Sequence, residues 1–323
     1  LFSSKVNDII PVYIYDNINF RKELGASSKY WLYHALNSLN KSLNQSLHYY
    51  KGDTLNILLD LIEKHSITHI HYEEPFLKDD IKLHYKIKNK LESINIKVLT
   101  YNCTLLWEPY SILKDDQSPY KVFTPFYKKG CLKSIVPRKP INFSQKKSFI
   151  KVENTNIDHL NLLSNYVWFD KFKDLWDISE SAALNTFESF IKNSIYDYKK
   201  GRDYPAMHKN SKLSPYIRFG MISVNRIWYM LEQLNSNINI EHYKSEIGWR
   251  EFSYYLLYHF PHIENNNLQI KFDQFKWENS KEKFEAWKKG KTGFPIVDAG
   301  MRELWQTGFM HNRVRMIVAS FLV

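Results

Sequence analysis

An α/β amino-terminal half built on a parallel sheet, followed by an all-α half, is the fold class that three observations predict. Over the first hundred residues, short apolar runs alternate with amphipathic stretches. Between 102 and 177 that rhythm fails, interrupted by Pro109, Pro119, Pro125, Pro137 and Pro140. After Ser179 apolar residues recur at helical spacing with no strand signal of comparable strength. The chain has 323 residues, 44% of them apolar and 16% aromatic. That is enough for two domains with a sizeable core and excludes wholesale disorder.

The elements follow in order. The run 9–15 reads as a buried strand ending at Asp16. Trp31, Leu32, Ala35, Leu36 and Leu39 place a helix over 28–43, and 47–50 is a short strand. Asp53 caps a helix carrying Leu55, Leu58, Leu59 and Ile62. A strand at 67–72, a helix over 79–94 and a strand at 96–101 complete the alternation, which implies right-handed crossovers and one parallel sheet. The boundaries expected are 1–125 for the α/β domain, 126–178 for a connector and 179–323 for the helical domain. Within the last, helices are expected from Ser179, near 221–234, 241–260, 280–289 and 295–307, and from about 311. Leu1 and the apolar run up to Val323 suggest a piece of a longer chain, with a first strand missing before residue 9 and part of the helical domain missing after 323.

The formal net charge of +11 suits a polyanionic partner. Seven of the nine arginines lie between Arg202 and Arg315, so the second half is the better place for planar, bidentate anion contacts. Two cysteines make no disulfide framework or metal set, and no run approaches a membrane span. A soluble, intracellular, monomeric protein is expected. Gly290-Lys291-Thr292 imitates the end of a phosphate loop, but Glu285 stands where that loop needs glycine. No G-x-S-x-G motif is present, and His69 and His71 lack a third ligand at metal spacing.

Three constellations remain. Glu246, Trp249 and Arg250 share a helix face and offer an acceptor, a stacking plane and a guanidinium; buried, they would be an intrahelical ion pair beside a core tryptophan. Asn312 and Met316 lie one turn apart, with Arg313 and Arg315 facing elsewhere, and an amide there could read a heterocycle edge. Arg202-Asp203-Tyr204-Pro205, followed by Asn210 to Ser214, supplies cations, an amide and hydroxyls suited to phosphate or to an ordinary polar loop. Asp298 and Arg302, at i and i+4, read as a structural pair.

Taken in order, several runs resemble the photolyase/cryptochrome family, nearest to class I cyclobutane pyrimidine dimer photolyases. They are Tyr120 to Phe126, Gly201 to Pro205, Leu213 to Gly220, Trp249 to Phe252, Gly290 to Arg302 and Met310 to Met316, continuing to Phe321-Leu322-Val323. The resemblance implies that the helical domain is an FAD-binding domain and that reduced FAD is the active form. Light-driven electron transfer from it would split dimers flipped out of damaged DNA, the activity of a deoxyribodipyrimidine photo-lyase.

By motif position Tyr198, Asn210, Ser211, Lys212, Leu213, Ser214, Asn312 and Arg315 would contact FAD. Glu246 would bond a thymine edge, Trp249 would stack on the lesion and Met316 would line its pocket. Arg202, Arg250 and Arg313 would serve the DNA-facing rim, and Trp277 would end the family's tryptophan electron chain. Catalytic roles thus fall to Glu246, Asn312 and Trp277. In Tyr72-Glu73-Glu74-Pro75-Phe76 no folate-holding carboxylate is evident, so a second, antenna chromophore is implied without its identity. A chain ending at Val323 would hold FAD weakly and could be inactive alone. The alternative is a cryptochrome-type blue-light receptor without repair. The set Glu246, Trp249, Asn312 and Met316 points to repair, since plant-type receptors usually carry Asp at the Asn312 position. Repair of (6-4) photoproducts would call for histidine at 312 and 316.

Overall fold

The computed structural model describes residues 8–19, 23–141, 147–163 and 167–322. The amino-terminal half runs β1 (Asp8–Ile9), β2 (Val12–Tyr15), α1 (Ala26–Ser42), β3 (His48–Lys51), α2 (Thr54–His65), β4 (His69–Glu73), α3 (Lys78–Glu92) and β5 (Lys97–Tyr101). Every strand pairing among the described residues is parallel, in keeping with the helical crossovers. Asp53 caps α2 as expected, its carboxylate accepting from the Asn56 N–H.

Two expectations are corrected. The strand at 9–15 is broken into β1 and β2, because Pro11 has no N–H for a ladder; its carbonyl instead accepts from His48 N at 2.9 Å. The single sheet is three parallel pairs, β1 with β6 (Ser148–Phe149), β2 with β3, and β4 with β5. β2 and β4 share no ladder, and residues of both line one large cavity. β6 also puts a strand inside the stretch expected to be a plain connector.

After Phe149 no strand occurs among the described residues. The helices of eight residues or more there are α4 (Glu180–Asn193), α5 (Val224–Glu232), α6 (Ile238–His259), α7 (Lys281–Lys288), α8 (Pro295–Thr307) and α9 (Asn312–Leu322), with short helical turns at Tyr198–Gly201 and Ser214–Arg218. Ser179, Ser223, Asn237 and Ser280 cap α4, α5, α6 and α7 with side-chain oxygens. Pro295 opens α8, where a missing N–H costs nothing, and Gly308 closes it in the left-handed conformation.

One core runs through both halves. Tyr30, Trp31 and Ala35 of α1 join Leu106, Trp107 and Tyr127 of the middle stretch and Phe187, Tyr243 and Tyr255 of the helical part. Trp31 meets Trp176 and Tyr216 edge-on, each at 5.2 Å between centroids. Glu251 of α6, fully buried, accepts from Leu106 N at 2.7 Å and so ties the segment after β5 to the longest helix. Burial pushes its carboxyl up to about 7, against the pull of Arg250 and the backbone N–H groups of Leu106 and Trp107.

Trp31 is therefore a joint between halves as well as a core residue. Trp31→Ala should cost about 3–5 kcal/mol, and urea unfolding followed by far-ultraviolet circular dichroism will show whether both halves lose stability together.

Candidate functional site

A cavity of about 2540 Å³ opens between the strand pairs and the helical half. Helix α6 supplies one wall. A period of 3.6 residues places Tyr243, Ile247, Arg250 and Tyr254 along one stripe and His242, Glu246 and Trp249 along the next. The first stripe and Glu246 line the cavity.

Opposite Glu246 lies Arg202, just after the short helical turn Tyr198–Gly201. It is buried, only 6% exposed, and its Nη1 donates both to Glu246 Oε1 and to His242 Nε2, the latter at 2.7 Å. Burial works against its charge, but Glu246, Tyr198 and Asp203 together hold its pKa above the ordinary value. Arg202, expected at an outer rim, is thus behind Glu246. Its ring neighbour Tyr198 lies 5.5 Å away and is pushed up to about 12 by burial.

The loop 210–214 forms the next part of the wall. Ser211 Oγ accepts from the Tyr243 hydroxyl at 2.9 Å, and Leu213 is buried beneath the loop. Asn210 Oδ1 is buried with no hydrogen-bond partner among the described residues. Such an orphaned acceptor calls for a ligand donor or water. Lys212, Ser214, Asn312 and Arg315 line the same space. An unsatisfied amide oxygen, two hydroxyls and two cations fit a large ligand that carries both a heterocycle and phosphates, as FAD does.

The third face is exposed. Trp249, 47% exposed, stacks on Phe123 with centroids 3.7 Å apart and planes at 12°. Phe123 lies parallel to Tyr127 at 5.5 Å, and Tyr127 rests on the backbone of Gly248. Arg313 Nε bonds Asp203 at 2.7 Å, joining α9 to the Arg202 loop, while its Nη1 lies 3.8 Å from Met316 Sδ. Met316 is exposed.

Residues 3–142 match the DNA photolyase family and 243–323 match the FAD binding domain of DNA photolyase. A deoxyribodipyrimidine photo-lyase of Agrobacterium fabrum is 36% identical over 98% of this chain and 67% of its own length. The chain belongs to the DNA photolyase/cryptochrome family. Cryptochrome-2 of Arabidopsis thaliana is 29% identical, with 93% of this chain and 52% of that protein covered. A crystal structure of a class III photolyase from Agrobacterium tumefaciens superposes with a TM-score of 0.92 at 36% identity, covering 98% of this chain and 67% of that one. An archaeal photolyase from Sulfolobus tokodaii, solved with two FAD molecules, gives 0.72 at 26% identity, with 98% and 69% covered. The chain spans about half to two thirds of the length of the curated relatives it matches. FAD is the cofactor of this photolyase-family fold.

Several residues sit elsewhere than their motif suggested. Arg250, expected at the DNA-facing rim, points inward, donating to Thr104 O and to Glu251, each at 2.9 Å. The intrahelical Glu246–Arg250 pair is therefore not formed, since each side chain has a partner from outside the pair. Asp298 does not pair with Arg302; its carboxylate accepts from Thr292 N, Thr292 Oγ1 and Gly293 N and shapes the turn before α8. Trp277 is exposed, 4.8 Å from Phe275 between centroids, and does not line the cavity.

Sequence reasoning missed His242, Tyr243 and Phe123. The first lies one turn before Glu246 and the second one turn before Ile247, so helical spacing could have offered both. The contact of Phe123 crosses 126 residues of chain and leaves no local signal.

Gly248 holds the aromatic stack open. A Cβ there would meet the Tyr127 ring at 2.6 Å. Gly248→Ala should therefore displace Tyr127 and Phe123 and cost about 1–3 kcal/mol by overpacking, and a denaturant titration against wild type measures it.

Proposed function

We propose that this chain carries the flavin-holding and lesion-recognising parts of a light-dependent lyase that repairs cyclobutane pyrimidine dimers in DNA. One observation carries the reading: Glu246 presents a carboxylate to the cavity with one oxygen tied to a buried arginine, next to an exposed, pre-stacked Trp249 plane. An acceptor beside a stacking surface is what a flipped base with a polar edge and a π-face needs.

Reduced FAD, when bound, supplies the light-driven electron that opens the dimer. The residues then have separate tasks. Asn210, Ser211, Lys212, Leu213, Ser214 and Arg315 hold the cofactor, with Tyr198 and Tyr243 packing the wall behind them. Asn312 places its amide at the reactive side of the cavity. Glu246 accepts from the base edge, Trp249 stacks, Met316 closes the lesion pocket, and Arg313 is held toward it by Asp203. Arg202 acts through Glu246, while Arg250 braces α6 against the segment after β5. Trp277 remains the proposed outer end of an electron relay.

The divisions 1–125, 126–178 and 179–323 serve as an antenna-type α/β unit, connector and flavin unit. A second chromophore is part of this reading, as two FAD molecules occur in the archaeal relative. The class III relative and the class I motif pattern leave the lesion chemistry of the proposal the same. The net charge of +11 supports DNA as the partner, and the reading takes the protein to work within the cell as a monomer. Among the described residues, no helix is long and apolar enough to cross a membrane.

Blue light should restore dimer-containing DNA when the reduced, FAD-loaded protein is present. Flavin binding without repair would favour a cryptochrome-type receptor, the second reading, which the likeness to plant cryptochromes supports. Trp249→Ala should weaken binding to a dimer-containing oligonucleotide by about 1–3 kcal/mol more than to an undamaged one. Equal loss on both DNAs, read by fluorescence anisotropy, would remove Trp249 from lesion recognition.

A further inference from the structure

We propose that His242 is a positioning residue, a neutral imidazole that holds the Arg202 guanidinium against one oxygen of Glu246 and leaves the other oxygen open to the base edge. The inference rests on the reading of Glu246 as the acceptor for the flipped base.

The argument starts from what an arginine can do. A guanidinium carries only donors, so the 2.7 Å contact between Arg202 Nη1 and His242 Nε2 requires a lone pair on Nε2. That sets the tautomer with the proton on Nδ1. The same Nη1 donates to Glu246 Oε1, and Oε2 of Glu246 has no partner among the described residues. His242 and Glu246 are one turn apart on α6, so their two acceptors bracket the buried cation from the same helix face.

The surroundings keep the imidazole neutral. Burial lowers its pKa first, Arg202 next, and Lys199 adds to both, while Glu246 and Asp203 oppose them. The Tyr198 ring packs 6.2 Å away between centroids. Protonation of His242 would replace the acceptor by a donor and set two cations in contact. Arg202 would then swing from its place, and the free oxygen of Glu246 with it. Because the folded pKa is depressed below the ordinary imidazole value, the arrangement is intact at pH 6.5 and above and is lost only as pH falls through that lower, folded pKa.

The test measures the affinity ratio of the protein for dimer-containing over undamaged oligonucleotide between pH 8 and pH 5.5, at fixed ionic strength. In wild type the ratio should fall toward the acid end by up to about tenfold, the size of one charge-assisted hydrogen bond, with the onset below pH 6.5. His242→Gln keeps an acceptor that does not titrate, so its ratio should match wild type at pH 8 and stay flat to pH 5.5. His242→Leu should start about tenfold low and also stay flat. Nitrogen-15 NMR of the imidazole should show the Nδ1–H tautomer at pH 8. A wild-type ratio and profile in His242→Leu, with discrimination lost in Glu246→Gln, would overturn the role of His242 alone. Full discrimination in Glu246→Gln would overturn the reading of Glu246 and this inference with it.

Discussion

A guanidinium taken out of water must be paired, and Arg202 sets the geometry around it by that requirement. Removing one partner of a buried charge leaves the other uncompensated at a cost of several kcal/mol, so the surrounding groups cannot be chosen independently. Glu246 and His242 take the same nitrogen, Tyr198 packs beside the charge, and Asp203, the next residue, reaches Arg313. Through these contacts one buried cation aligns α6, the turn at Tyr198–Gly201 and the start of α9. Glu246 faces the cavity with a defined oxygen free because Arg202 occupies the other.

Close packing does for the exposed side of the site what charge does for the buried side. Trp249 would have many rotamers on a solvent-facing helix. Phe123 and Tyr127 hold it by stacking, and Gly248 lets Tyr127 approach the helix backbone. Since Phe123 and Tyr127 belong to the stretch after β5, and Glu251 ties that stretch to α6, the stacking plane depends on the joint between the halves. A rigid aromatic plane loses little entropy on meeting a base, which is the advantage of fixing it beforehand.

Much of this was legible in the chain. Helical periodicity located α4 to α9 within a few residues, and α8 coincides with its expected span 295–307. Strand–helix alternation correctly implied parallel pairing. The motif pattern led to the family, and the loop 210–214, Asn312 and Arg315 that it singled out line one cavity. Less was legible where partners are distant. Arg250 had a plausible neighbour four residues away, yet pairs with Glu251 and a carbonyl 146 residues distant. Asp298 likewise had Arg302 one turn away but is held by the turn at Thr292. A helix places side chains at fixed spacing on its own surface, but it does not say which of them another element will cover.

The sequence alone determined the alternation of strands and helices before residue 102, most helical spans after 179, the excess of basic residues and the identity of the residues offered to the site, because these follow from local propensity, periodicity and charge. Tertiary structure alone decided that β2 and β4 stand apart, that Arg202 is buried rather than on the rim, that Phe123 backs Trp249 and that His242 shares the cation with Glu246. The reason is physical: desolvation, stacking and charge pairing act between surfaces brought together by folding, and their strength depends on burial that no local pattern records.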